Sequence, residues 1–108
     1  MNPRRVHARF RQRCPRVDFA KCEWIHLFSD GCLNEERLRS MLSTLETSHF
    51  LIHVQPKIGD YLPLEEALVF IRENIGKSTI YIGDRNFAGL VVVAQNGVAT
   101  TLATDKSV

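Results

Sequence analysis

No apolar run in this sequence is long enough to cross a bilayer. The longest, residues 67–71 and 90–94, fall far short of the roughly 20 residues such a span needs. Cysteine is scarce, with Cys14, Cys22 and Cys32 forming an odd and widely spaced set. Secreted disulfide frameworks use even and denser sets, so reduced thiols in a cytoplasmic protein are expected. There is no CxxC pair and no paired-histidine helix motif, which excludes the common zinc patterns. Phosphate-binding loops, dinucleotide fingerprints and nucleophile elbows are also missing. The expectation is therefore no metal, no cofactor and no catalytic residue. The basic opening stretch MNPRRVHARFRQRC is not followed by an apolar core, so a secretory signal is not expected.

What is present fits one domain spanning residues 1–108, with ordinary apolar and charged fractions. The charge is unevenly placed. Residues 1–21 hold seven basic groups and one acid (net +6), whereas the rest hold seven basic and eleven acidic groups (net −4). This is a basic N-terminal strand or arm on an acidic body, an asymmetry that speaks to partners more than to fold.

Hydrophobic periodicity gives the elements. In RRVHARFRQR (residues 4–13) apolar and basic residues alternate, which predicts an edge strand with an arginine face. Val6, Phe10 and Cys14 also sit four apart, so a helix is the competing reading. Residues 23–29 (EWIHLFS) are apolar on both faces and suit a central strand. Asn34 is a good N-cap for a helix opened by Glu35 and Glu36 and striped by Leu38, Met41, Leu42 and Leu45. Residues 48–54 form the next strand, and QPKIGDY reads as loop. Pro63 and Gly76 bracket a second helix with Leu64, Ala67, Leu68, Ile71 and Ile75 as its stripe. Residues 78–82 and 87–95 are strands, and Asn96-Gly97 predicts a type I′ hairpin turn into residues 98–103. The expected fold is α/β, bordering on α+β. It has a mixed five- to six-stranded sheet, two helices and the order β-β-α-β-α-β-β-β. Strand–helix–strand alternation predicts parallel pairs in that sheet.

Candidate functional residues fall into two sets. Arg5, His7, Arg9, Arg11 and Arg13 would share one strand face and bind nucleic-acid phosphates. Asp30, Glu35, Glu36, Asp60, Glu65 and Glu66 would contribute to an acidic partner-binding face. Helix-dipole stabilisation and turn chemistry account for several of these acids without any function. His26, His49 and His53, with Cys22 and Cys32, lack metal-ligand spacing and read as core or interface groups.

The segments IHLFSDGCLNEERL and SHFLIHVQPKIGDYLPLEEAL, followed by a Gly-Val-Val-rich hairpin, give a pattern over residues 23–100. It resembles small α/β immunity proteins of bacterial contact-dependent growth inhibition systems. The resemblance implies a non-catalytic inhibitor that binds a cognate protein toxin, often a nuclease, and blocks it. It assigns no role to any individual residue. An acidic body would steer encounter with a basic toxin surface. The alternative is a nucleic-acid-binding module using the N-terminal arginines.

Overall fold

The computed structural model describes residues 2–13, 22–29 and 31–103. Asn2 caps the first helix, α1 (Pro3–Arg13): its side-chain oxygen accepts from the Arg4 N–H at 2.8 Å, and Pro3 takes the first helical position. Three two-residue strands follow, β1 (Ile25–His26), β2 (Phe28–Ser29) and β3 (Cys32–Leu33). Next come α2 (Glu35–Ser43), β4 (His49–Gln55), β5 (Ile58–Pro63) and α3 (Leu64–Asn74). The chain closes with β6 (Ile80–Gly83), β7 (Gly89–Val93) and β8 (Val98–Ala103). No described helix is long and apolar enough to cross a membrane.

The expected combination of helices with a six-stranded sheet is present, in the order β1-β8-β7-β6-β4-β5, with β2 and β3 as a separate ribbon. Four features differ from expectation. First, residues 4–13 are a helix and not an edge strand, so the described residues hold three helices and not two. Val6 and Phe10, one turn apart, are buried against the sheet, while Gln12, which a strand would have turned inward with them, is exposed.

Second, QPKIGDY is not a loop. Pro56 and Lys57 form a tight turn, and Ile58–Pro63 pairs with β4 from His49↔Pro63 to Gln55↔Ile58. Glycine, aspartate and proline disfavour strands in general, but an edge strand tolerates them. Third, every pair in the sheet is antiparallel. Because β4 lies between β5 and β6, the β5–α3–β6 crossover joins two strands that run in the same direction without touching. The parallel pairing predicted from the strand–helix–strand order is therefore absent. Fourth, residues 23–29 are not a central strand. They divide between β1, which pairs with β8 at the sheet end, and the ribbon strand β2.

Strand alternation sorts the core into two layers. Phe50, Ile52, Val54, Ile80, Ile82, Val91 and Val93 face α2 and α3, meeting Leu38, Leu42, Leu68 and Ile71. Leu51, Leu90 and Val92 face the other way and meet Val6, Phe10 and Phe87. Each such side chain contributes roughly 1.5–3 kcal/mol on burial. Helices as short as these are marginal alone, so this contact holds them in place. Asn34 caps α2 as expected, accepting from the Arg37 N–H at 3.0 Å. The outcome is a sheet with the acid-opened helices on one face and the arginine helix on the other.

Candidate functional site

The site is built on α1. Its inner edge docks through Val6 and Phe10. Val6 sits directly over Gly59 of β5, where a Cβ would lie 3.3 Å from the valine methyl and 2.8 Å from the Ile52 carbonyl. The Phe10 ring meets Phe87 edge-on at 5.0 Å between centroids and lies 5.6 Å from His53 and 6.3 Å from Tyr81. The helix therefore starts over the outermost strand, β5, and advances across β4 towards β6.

A polar contact between two histidines ties α1 to the sheet across the middle. His7 Nδ1 and His53 Nε2 are 2.8 Å apart, with the rings stacked at 5.0 Å between centroids. One ring must donate and the other accept, so the bond requires at least one neutral imidazole. Burial lowers the His53 pKa below its ordinary value, and the electrostatic influence of the adjacent His7 ring lowers it further. Around the pair stand Phe10 and Arg11 of α1 and Tyr81 of β6; His7, Ala8, Arg11 and Gln12 line one open groove.

The sign of the pH effect follows. The unfolded chain takes up a proton on His53 near the ordinary value of 6.5, and the folded chain resists it. Stability is thus fully present above about pH 6.5 and declines below it, until the folded protein also protonates. We expect the urea midpoint to fall between pH 7 and pH 5 by more in the native protein than in His53→Gln. Equal slopes in the two proteins would remove His53 from the account.

The outer surface of α1 carries only one sign of charge. Helix α1 holds Arg4, Arg5, Arg9, Arg11 and Arg13 and no acid. Arg4, Arg5 and Arg11 are exposed and Arg9 is half-buried, while the Arg13 side chain lies outside the described residues. The single strand face predicted for these residues does not exist. A helical turn places Arg4 and Arg11 on one flank and Arg5 and Arg9 on the other, with His7 turned inward to His53.

The acidic set does not form one patch. Asp30 lies outside the described residues. Glu35 and Glu36 open α2, and Glu65 and Glu66 open α3. Arg39 binds both carboxylate oxygens of Glu65, one at 3.0 Å, and its hydrogen bond holds that carboxyl below the usual range. Arg72 lies 3.7 Å from Glu35. Asp60 stands on β5 opposite Ile52, on the face away from α1, and its Oδ1 accepts from the Tyr61 N–H at 2.7 Å. Glu36 and Glu66 are exposed.

The remaining histidines are dispersed. His49 lies beside Tyr61, 5.4 Å between rings, and the His26 carbonyl accepts from Arg37 at 2.8 Å on the far side of the sheet. Cys22 and Cys32 are free thiols. Among the described residues no three His, Cys, Asp or Glu side chains are placed to hold a metal ion. A cleft of about 310 Å³ between the end of α2 and strands β7 and β8 has Glu46 as its one ionisable lining group. The histidine pair escaped the sequence reading because 46 residues separate its members and no local pattern links them.

No protein-family model matches the chain, and no curated protein or solved structure is significantly similar to it.

Proposed function

We propose that this chain is a non-catalytic binding domain that grips the phosphate backbone of a nucleic acid with α1. The observation that carries this reading is a helix of eleven residues with five arginines and no acid, anchored to the sheet by its apolar edge. Arg4 and Arg5 occupy the first turn, where the helix dipole disfavours cations by about 0.3–1 kcal/mol each. A polyanion would reverse that penalty, and arginine forks match phosphate oxygens in pairs. A cytoplasmic location belongs to the same proposal and accords with the free thiols. The toxin-inhibitor reading draws on the acidic helix openings, but Glu35 and Glu65 are engaged by Arg72 and Arg39, which leaves that surface less charged. It is the weaker of the two.

The test is retention of labelled nucleic acid as salt is raised. Four phosphate contacts predict a log–log slope of roughly −3 to −4. Changing Arg4, Arg5, Arg9 and Arg11 together to glutamine is expected to flatten that slope and weaken binding at least about tenfold at low salt. Circular dichroism should show the helix content retained. Full-length protein that retains neither DNA nor RNA at low salt rules the proposal out.

A further inference from the structure

Helical geometry divides the outer surface of α1 into a small central ridge and two cationic walls. Taking Val6 and Phe10 as the inward direction, the opposite crest falls on Ala8, with Arg4 one turn before it and Gln12 one turn after it, each about 40° off the crest on opposite sides. Arg4 and Arg11 stand on one side of this ridge and Arg5 and Arg9 on the other. Between Arg4 and Arg11 the helix rises about 10 Å. An open groove of about 300 Å³, lined by His7, Ala8, Arg11 and Gln12, runs along one side.

We infer that α1 lies in the major groove of B-form duplex DNA, with Ala8 at the groove floor, Arg4 and Gln12 flanking it along the helix, and Arg11 and the Arg5–Arg9 row towards opposite phosphate walls. This rests on the nucleic-acid reading and narrows it to one class of polymer. A helix with its side chains is about 10–12 Å across, and the B-form major groove is about 12 Å wide. A large residue on the crest would hold the helix out of the groove; alanine lets it descend. Glutamine is the side chain that pairs with two groups on an adenine edge. α1 starts over the outermost strand, with Lys57 exposed in the turn leading into β5. Asp60, the nearest acid on that strand, belongs to the opposite face of the sheet.

The same features count against the other polymers. The deep, narrow major groove of A-form RNA does not admit a helix. Single strands are held by bases stacking on exposed aromatic rings; on α1 Phe10 is buried under the helix and the half-buried His7 ring is already stacked on His53.

Fluorescence anisotropy of the full chain with three probes of matched length tests the inference: duplex DNA, duplex RNA and single-stranded DNA. The expected result is at least tenfold tighter binding to duplex DNA. Ala8→Trp, which leaves every charge in place, should then lose at least tenfold on duplex DNA and little on the single strand. Equal or tighter binding of duplex RNA or the single strand overturns the duplex inference while leaving nucleic-acid binding intact. So does an Ala8→Trp protein with native affinity for duplex DNA. Failure to bind any of the three removes the parent proposal and this one together.

Discussion

Phe87→Ala is expected to cost about 3–5 kcal/mol, the range for emptying a buried aromatic site. Phe87 is fully buried and held at a φ of +54°, left-handed backbone that non-glycine residues rarely adopt. The turn before it sets that conformation: the Phe87 N–H donates to the Asp84 carbonyl at 3.2 Å, and the Ala88 N–H donates to Asp84 Oδ1 at 2.8 Å. Alanine keeps the cost of the left-handed backbone and loses the ring that holds it. The ring also forms the platform for Phe10, 5.0 Å away edge-on. Two effects should therefore appear together. Urea unfolding should show a loss that is a large part of the roughly 5–15 kcal/mol available to a domain. Amide exchange in α1 should accelerate beyond the global change, because the helix loses the far end of its docking site. A loss below about 1 kcal/mol would falsify the view that Phe87 joins α1 to the sheet.

The second large effect is expected at the β7–β8 turn. Gly97 has a φ of +88°, and a Cβ there would fall 2.6 Å from the Phe28 ring. Gly97→Ala thus meets two penalties, a left-handed backbone at roughly 1–2 kcal/mol and a steric overlap of roughly 1–3 kcal/mol. Phe28 is 41% exposed and can swing away, which puts the expected total near 2–3 kcal/mol. Gly76, at the end of α3, is the control. Its φ is +97°, but nothing lies within 4 Å of its missing Cβ, so Gly76→Ala should cost only about 1–2 kcal/mol. Chemical denaturation of both variants separates the terms. Losses of equal size would mean that the Phe28 contact contributes nothing at this turn.

That turn also shows how far local sequence reaches. Asn96-Gly97 announced a hairpin, and β7 and β8 pair from Val93↔Ala99 to Gly89↔Ala103. The turn type differs from the expected I′, which needs positive φ at both central residues. Only Gly97 is left-handed, and the Ala94 N–H donates to the Val98 carbonyl at 2.8 Å. This is a three-residue loop with a glycine bulge. Local chemistry specified that the chain reverses, and Phe28 packed on Gly97 accompanies the longer loop.

The same division holds for the helices. α2 and α3 were legible because caps, first-turn acids and apolar stripes all agreed. α1 was not, since RRVHARFRQR satisfies both a two-residue and a four-residue repeat. The Asn2-Pro3 start was the overlooked cue, a capping side chain followed by a residue that favours the first helical position. β5 was hidden by Gly59, Asp60 and Pro63, which an edge position accepts and a central one would not.

By itself the sequence determined which segments are apolar, where two of the helices begin and end, and that basic charge gathers at one end of the chain. These properties depend on neighbours within a few residues. Only the tertiary structure decided that this charge sits on a helix, that the helix lies on the sheet face away from the acid-opened pair, and that His7 meets His53. Those outcomes turn on which strand packs beneath Val6 and Phe10, and contact between residues far apart along the chain leaves no mark in either local pattern.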